Sequence, residues 1–198
     1  MQIVLPGITG SGELWLDIVR AICRNQVKDN WWLADICCHK APYTSQLGAS
    51  YTTYVDVQYR GLEVRPDSKF EFVCDDVFNW FGRNQQQYDV MICSDGVEHF
   101  TKGNGLHLIN LMSHYSNKAI IFTPLGEVSV TNDWHPDSHK CGLTPDDFSQ
   151  LDEEEWAFIV LPDFHPELNC GAFFAWHCRE IKQDFENVCN EIKNKYEH

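Results

Sequence analysis

A cluster of groups that can exchange protons or bind cations lies at residues 94–99, whose sequence is Ser-Asp-Gly-Val-Glu-His. Carboxylate and imidazole side chains act as general acids and bases, and both ligate metal ions. An apolar run at 90–93 precedes the cluster, an amphipathic pattern follows at 106–112, and a second apolar run occupies 119–122. This alternation predicts a strand, a helix and a parallel strand, and such sheets bind ligands at the carboxyl ends of their strands. We therefore expect a ligand site at this cluster.

Acidic residues also follow three other predicted strands. Asp35 closes a strand at 31–36, Asp56 comes 21 residues later near the end of a strand at 51–57, and Asp75 with Asp76 follows a strand at 70–74. A spacing of about 20 residues is typical of the carboxylate that holds ribose hydroxyls in dinucleotide folds. One ionised carboxylate accepts hydrogen bonds from two vicinal hydroxyls. Each residue alone is more typical of a turn or a helix cap than of a binding site, but their succession at the ends of strands favours binding.

The remaining pattern predicts an α/β fold. Two further strands, at 156–161 and 172–178, are compatible with an antiparallel pair, and helical spacing occurs at 14–23 and 180–196. We expect a doubly wound three-layer sandwich, with a seven-stranded, mostly parallel sheet and an antiparallel last strand. Short helices are expected at 43–48 and 77–81. The prediction is one domain over residues 1–198, with an N-terminal helical segment (1–30), a sheet core (31–178) and a C-terminal helix (179–198).

Composition excludes several classes of protein. A chain of 198 residues can bury roughly 70 % of its unfolded surface without help from a metal or disulfides. A net charge of −14 repels phosphate backbones, so we expect no nucleic-acid partner. Nine cysteines, an odd number without a Cys-x-x-Cys pair, indicate reduced thiols in the cytoplasm and argue against structural zinc. No apolar stretch approaches the roughly 18 residues of a membrane span, so no membrane partner is expected.

Three glycines near the N-terminus, Gly7, Gly10 and Gly12, suggest a phosphate-binding loop. The Lys-Ser/Thr pair that such a loop needs is missing, and no convincing strand precedes the glycines. We interpret them as a mobile entry to the first helix.

Two segments resemble class I S-adenosylmethionine (SAM) dependent methyltransferases. An acidic residue followed by Glu-His after the fourth strand is similar to the corresponding segment of that family. Residues 137–148 resemble its His-x-x-x-x-Thr-Pro-x-x-Phe segment, in which Thr144 and Pro145 would begin a helix. The likeness covers about residues 31–178 and implies SAM as cofactor and a small-molecule acceptor.

The resemblance also implies site residues. Asp35, Cys37, Cys38 and His39 would surround the amino-acid part of SAM, Asp56 and Val57 its ribose, and Asp75, Asp76 and Val77 its adenine, with Ser94 and Asp95 completing the site. His99 is the first candidate for a catalytic base, followed by His139 and His135 in the loop that often covers the acceptor. A capping or packing role for His99, and a solvated loop position for the other two histidines, are the alternatives.

The first loop departs from the family pattern. The family usually has Asp-x-Gly-Cys-Gly-x-Gly, whereas residues 35–41 are Asp-Ile-Cys-Cys-His-Lys-Ala. Residues other than glycine rarely adopt positive φ. Either the loop takes another backbone path, with Lys40 or His39 pairing the SAM carboxylate, or the chain is a retired methyltransferase that binds something else.

A metal-dependent version is the minor alternative. Asp95, Glu98 and His99 would share one helix face at i, i+3 and i+4 and could hold magnesium or manganese. Methyltransferases acting on catechol-like hydroxyls resemble this arrangement. Against it, Asp95 precedes the predicted helix, and Glu98 is explained as a partner of the helix dipole.

Three classes of function remain: a SAM-dependent methyltransferase for a small acceptor, a binding or regulatory protein of the same fold, and a nicotinamide-dependent oxidoreductase. The last is disfavoured because its glycine-rich turn is missing. DNA amino-methyltransferases are disfavoured because their Asn/Asp-Pro-Pro-aromatic signature is replaced at 94–97. Four aromatic residues can line a planar acceptor pocket or simply belong to the core: Trp134, Phe164, Tyr43 and Trp176. The sequence predicts neither the acceptor nor the oligomeric state.

Overall fold

A computed structural model describes residues 1–24, 30–127, 138–152 and 155–196. Its strands are β1 (Gln2–Val4), β2 (Trp32–Ile36), β3 (Tyr51–Asp56), β4 (Phe70–Cys74), β5 (Val90–Ser94), β6 (Lys118–Pro124), β7 (Ala157–His165) and β8 (Cys170–Cys178). The α-helices are α1 (Gly12–Cys23), α2 (Val77–Arg83), α3 (Lys102–Tyr115) and α4 (Ile181–Tyr196). Short 3₁₀ helices lie at Thr44–Leu47, Val97–His99, Pro145–Gln150 and Pro166–Leu168.

The strands form one sheet in the order β1-β7-β8-β6-β5-β2-β3-β4. β8 runs antiparallel to both β6 and β7, and every other neighbouring pair is parallel. The predicted doubly wound sheet with a reversed last strand is thus confirmed. From β2 the chain proceeds outward to β3 and β4, then returns to β5 on the other side of β2. This switch point creates a crevice at the carboxyl ends of β2 and β5.

Apolar side chains on both faces of the sheet explain the three layers. Ile92 and Ile120 point toward α1 and α4, whereas Met91 and Ile121, their neighbours along the strands, point toward α2 and α3. Side chains alternate between the faces of a strand, so strands buried on both sides consist of continuous apolar runs. The central strands β5 and β6 therefore hold the site-bearing loops on a rigid support.

The N-terminal strand β1 is an addition to the predicted sheet. It pairs in parallel with β7, where Ile3 faces Ile159, and lies outside the range 31–178 expected for the sheet core. Main-chain bonds continue this pairing, with the Leu5 N–H donating to the Val160 carbonyl at 2.9 Å. A three-residue edge strand is held mainly by such bonds, which leave no periodic pattern in the sequence. The sheet consequently has eight strands within the described residues.

The Glu-His pair does not open the helix that follows β5, contrary to our expectation. Residues Val97–His99 form a separate 3₁₀ turn, and α3 begins only at Lys102. Phe100 and Thr101 between them have extended ψ angles of 161° and 151°. Asp95, Glu98 and His99 therefore do not share one face of an α-helix.

None of the helices in the described ranges combines the length and apolar character needed to cross a membrane. All nine cysteines are free thiols.

Candidate functional site

A cleft of about 540 Å³ opens at the carboxyl ends of the central strands. Asp35 from β2, Ser94 from β5 and Phe122 from β6 form its floor. Six of the residues predicted to bind cofactor or act in catalysis line this cleft: Asp35, Cys38, His39, Ser94, Asp95 and His99. The topology thus brings the loops after β2 and β5 together, as the sequence predicts for strand ends.

The opposite wall comes from the N-terminal segment, which sequence reasoning assigned no part in the site. A Cβ on Gly10 would lie 2.5 Å from the Phe164 ring, and one on Gly12 would lie 2.5 Å from the Tyr43 ring. These glycines let two aromatic rings pack against the backbone, which is a different role from the mobile entry we expected. Ser11 caps α1 by accepting from the Leu14 N–H at 3.1 Å.

The four candidate aromatic residues have different positions. Tyr43 and Phe164 line the cleft, together with Trp15 and His165, which sequence reasoning missed. Trp176 is fully buried in the core, where its Nε1 donates to Asp184 at 2.9 Å. Trp134 and His135 lie outside the described residues. Of the three candidate aromatic residues that the structure describes, two line the cleft.

The loop after β2 has the left-handed backbone that glycine favours, although it contains no glycine. Cys37, His39 and Ala41 have φ angles of 57°, 48° and 52°, at the three positions where the family pattern has glycine. Each left-handed residue other than glycine costs about 1–2 kcal/mol. The loop is held in this shape partly by Asp56, whose Oδ2 accepts from the His39 N–H at 3.0 Å. The three positions at which the family has glycine thus have left-handed backbone without glycine.

We expect His39→Gly to raise the free energy of unfolding by about 0.5–1 kcal/mol. Glycine removes the left-handed strain, and this gain exceeds glycine's extra entropy in the unfolded chain. Urea unfolding measures the difference. Lys40→Gly is the matched control, because Lys40 is not among the residues with positive φ, and glycine there should destabilise by about 0.5–1 kcal/mol. Destabilisation of similar size in both variants would contradict the strained loop.

Asp35 is a buried carboxyl at the end of β2. Its exposed fraction is 2 %, and its Oδ2 accepts from the Thr44 hydroxyl at 2.5 Å. Burial raises the pKa of Asp35 to about 7; the Thr44 bond opposes this rise, and the charge of Asp56 adds to it. Asp35 can therefore be protonated near neutral pH.

The raised pKa of Asp35 predicts a pH dependence of stability. Between pH 3.8 and about pH 7 the folded protein holds a proton that the unfolded chain releases. The free energy of unfolding should therefore fall as the pH rises through this window, by up to about 4 kcal/mol, and this contribution should become constant above it. Asp35→Asn removes the contribution, so urea unfolding from pH 4 to 8 should give a flatter profile. The exposed Asp67→Asn is the control, and identical profiles for wild type and Asp35→Asn would contradict the assignment.

Asp95 follows β5 in a strained conformation, with a φ of 49°. Its N–H donates to the Phe122 carbonyl at 2.9 Å, which ties the loop to β6. Asp95 is exposed at the cleft, but many protein atoms lie around its carboxyl group. The resulting desolvation raises the pKa of Asp95, and the charge of Glu98 raises it further. Strained residues persist only where the surroundings hold them, and they cluster at functional sites.

Glu98 is almost inaccessible, with an exposed fraction of 2 %. Its Oε2 accepts from the Thr123 hydroxyl at 3.1 Å, and among the described residues its Oε1 has no hydrogen-bond partner. Burial raises the pKa of Glu98 to about 7. Its main-chain carbonyl accepts from the N–H groups of Lys140 and Cys141, at 2.7 and 3.2 Å. These bonds attach the segment that contains His139 to the Val97–His99 turn.

Two of the three predicted catalytic histidines meet beside this turn. The rings of His99 and His139 lie edge to face with centroids 5.3 Å apart, and His99 Nδ1 is 3.2 Å from the Ser138 carbonyl. Since a carbonyl only accepts hydrogen bonds, Nδ1 carries the proton. Burial lowers the pKa of His139, and the charge of His99 lowers it further. The metal-ligand group found in the described residues consists of Glu98, His99 and His139, with His139 in the place predicted for Asp95.

The residues predicted to surround adenine lie outside the cleft. Asp75 pairs with Arg83, and Asp76 caps α2 by accepting from the N–H groups of Phe78 and Asn79. Val77 is buried in the core. Asp76 and Val77 thus have the structural roles that any helix start requires.

The other predicted cofactor residues are divided between loop and surface. Asp56 accepts from the His39 and Gln58 N–H groups, each at 3.0 Å, and Val57 is 63 % exposed. Cys37 contacts Cys93, and this thiol contact, followed by burial, raises the pKa of Cys93. Lys40 lies 3.7 Å from Glu63, so of the two side chains considered for the SAM carboxylate only His39 lines the cleft.

Comparison with protein-family models and with curated proteins gave no match. The backbone is similar to solved methyltransferases. N-methyltransferase NodS from Bradyrhizobium japonicum WM9, in complex with S-adenosyl-l-homocysteine (SAH), is 12 % identical, with a TM-score of 0.61 over 84 % of this chain and 87 % of that chain. Magnesium protoporphyrin IX methyltransferase (ChlM) from Synechocystis PCC 6803 with bound SAM is 13 % identical, with a TM-score of 0.57 over 84 % and 80 %. The methyltransferase domain of bacterial CtHen1 is 15 % identical, with a TM-score of 0.57 over 83 % and 97 %.

These observations define the class of fold. The sheet order, the reversed β8 and the cleft at the switch point are those of a doubly wound α/β protein. More particularly, the chain has the class I SAM-dependent methyltransferase fold, which confirms the fold that the sequence resemblance implied.

Proposed function

We propose that the protein is a SAM-dependent methyltransferase acting on a small, non-nucleic-acid acceptor in the cytoplasm. The observation that carries this proposal is the loop after β2, which keeps left-handed backbone at all three glycine positions although none is glycine. Residues with strained backbone cluster at active sites and ligand-binding sites. The structural neighbours with bound SAM or SAH support the same cofactor, the charge of −14 argues against nucleic acid, and the free thiols suit a reducing compartment.

The residues of the cleft, together with Asp56 next to it, fit this cofactor. The loop at 37–41 offers a close approach to the amino-acid part, with the His39 imidazole at the carboxylate. Each carboxylate oxygen of Asp56 accepts a hydrogen bond from one main-chain N–H. Each oxygen also has a further lone pair that can accept a hydrogen bond from a ribose hydroxyl. When bound, SAM supplies an electrophilic methyl group whose carbon bonds to the acceptor as the sulfur–carbon bond breaks and its electron pair returns to sulfur. The cleft then places the acceptor and shields it from water.

A hydroxyl acceptor must also lose its proton. His99 lines the cleft beside Asp95, at the carboxyl end of β5, and is our candidate for the group that activates the hydroxyl. His139 packs against His99 and supports it. Tyr43 and Phe164 favour a planar acceptor.

Calorimetric titration with SAM and SAH tests the proposal directly. We expect both to bind and NAD⁺ to give no binding heat. Asp56→Asn should weaken SAH binding about tenfold or more, because an amide accepts hydroxyl hydrogen bonds less strongly than a carboxylate. Asp67→Asn, an exposed carboxylate that pairs with Arg65 away from the cleft, is the matched control.

The possible results separate the remaining classes of function. Absence of SAM and SAH binding at millimolar concentration would refute the methyltransferase proposal. Binding of SAH without methyl transfer to any hydroxyl, amine or thiol acceptor in a panel would favour the second candidate, a non-catalytic protein of this fold. The His39 side chain in the cleft is the observation that supports this alternative.

A further inference from the structure

Three metal-ligating side chains meet beside His99, which lines the cleft: Glu98, His99 itself and His139. One ligand atom from each lies within 4.8 Å of the other two. Glu98 and His99 belong to the turn after β5, whereas His139 belongs to the segment before Pro145–Gln150, so the meeting is created by the fold. We propose that these residues, here called the 98/99/139 triad, bind one divalent ion of a first-row transition metal.

The carboxylate of Glu98 offers one oxygen that can bind a cation. Its Oε1 is buried and, within the described part of the chain, without a hydrogen-bond partner. A buried acceptor without a donor is unfavourable, and a cation satisfies it. The other oxygen accepts from the Thr123 hydroxyl, which orients the carboxylate as an outer partner orients a metal ligand.

The tautomer of His99 also suits metal binding. Its Nδ1–H donates to the Ser138 carbonyl, which leaves the Nε2 lone pair free to bind a metal. A main-chain carbonyl is one of the usual partners of the second ring nitrogen of a metal-bound imidazole. The Lys140 and Cys141 N–H groups hold the neighbouring backbone on Glu98, which fixes the position of His139.

The ligand set selects the type of ion. Two imidazoles and one carboxylate suit manganese, iron, cobalt or zinc better than magnesium, which prefers oxygen ligands. Asp95 on the adjacent loop and the net charge of −14 make the potential favourable for a cation. Three protein ligands also leave coordination positions open for water or a substrate.

The role of the ion rests on the proposed methyltransferase function. A hydroxyl acceptor that binds to an open position would lose its proton to solvent more readily, and its oxygen would then bond to the methyl carbon of SAM as the carbon–sulfur bond breaks and its electron pair returns to sulfur. In this arrangement His99 acts by holding the ion, so a separate base at its Nε2 is not needed. Acceptors with two adjacent oxygens, which chelate such an ion, are the class that the site favours.

Titration of the full chain with Mn²⁺, followed by electron paramagnetic resonance, tests the triad. We expect one bound ion per chain in the wild type. Glu98→Gln and His139→Ala should bind about tenfold more weakly or worse. His114→Ala, an exposed histidine on α3, should bind as the wild type does. Circular dichroism melts identify variants that fail to fold, and the near-isosteric Glu98→Gln keeps the test valid if His139→Ala is unstable.

Absence of Mn²⁺ and Zn²⁺ binding at millimolar concentration, or equal binding by wild type and both triad variants, would overturn this inference. Calorimetry with SAH in the presence of a chelator separates it from the proposed function. SAH binding without metal binding would refute the metal-binding proposal for the triad alone. Metal binding without SAH binding would support that proposal and refute the methyltransferase proposal.

Discussion

His99→Ala should lower kcat about 100-fold or more while the Kd for SAM changes by less than about threefold. An activating base contributes 10²–10⁴-fold to a rate, and loss of a metal ligand removes a comparable effect. His99 lies at the end of β5, whereas the loop at 37–41 and Asp56, which we assign to the cofactor, belong to other elements. Single-turnover kinetics with an acceptor from the panel, together with calorimetry for SAM, measures the two quantities separately.

His114→Ala is the control for this prediction, because it removes an imidazole from α3 outside the cleft. It should leave kcat and the Kd for SAM at wild-type values. An unchanged kcat in His99→Ala would reduce His99 to a packing residue. A large loss of SAM affinity in the same variant would move His99 from the acceptor to the cofactor part of the site.

Lys118→Met should destabilise the protein by about 3–5 kcal/mol, which corresponds to a fall in Tm of roughly 10 °C. Lys118 is completely buried at the start of β6, and its Nζ donates to Asp184 at 2.8 Å and to the Ile22 carbonyl at 2.5 Å. These bonds join the sheet to α4 and α1. Removal of the ammonium leaves the Asp184 carboxylate buried without its cation, and differential scanning calorimetry measures the cost.

Lys182→Met is the matched control, since Lys182 pairs with Glu155 at 2.9 Å but its side chain is 72 % exposed. This surface pair should contribute less than about 1 kcal/mol. The double variant Lys118→Met with Asp184→Asn removes both buried charges and keeps an amide oxygen for Trp176. It should recover most of the stability, and a loss equal to that of Lys118→Met alone would contradict the role of the uncompensated charge.

Local patterns predicted most of the fold because burial on the faces of helices and strands repeats along the chain. The strand at 70–74 has its predicted bounds, and α4 begins one residue later than expected. β7 extends from Ala157 to His165, beyond the predicted end at residue 161, because it continues past an irregularity in its pairing with β8. β1 was missed because an edge strand of three residues depends on main-chain bonds to β7, which have no sequence signature.

The candidate site was predictable in part. Asp35, Ser94 and Asp95 end apolar strands, and parallel strands end on one edge of the sheet, so their convergence follows from the sequence. The sequence did not distinguish whether Asp76 binds a cofactor or caps a helix, because a carboxylate before a helix can do either. Gly10 and Gly12 carried a detectable signal, namely missing side chains, but the aromatic rings that use this space are distant in the chain.

The sequence by itself determined the doubly wound sheet and the acidic strand ends, since alternation of apolar and polar residues is a local property of each element. Only the tertiary structure decided that His139 meets His99, 40 residues away, and that Glu98 lies in a 3₁₀ turn beneath them. It also decided that Cys37, His39 and Ala41 keep glycine-like backbone. Such features depend on main-chain hydrogen bonds and packing between distant segments, whose energies no single stretch of residues contains.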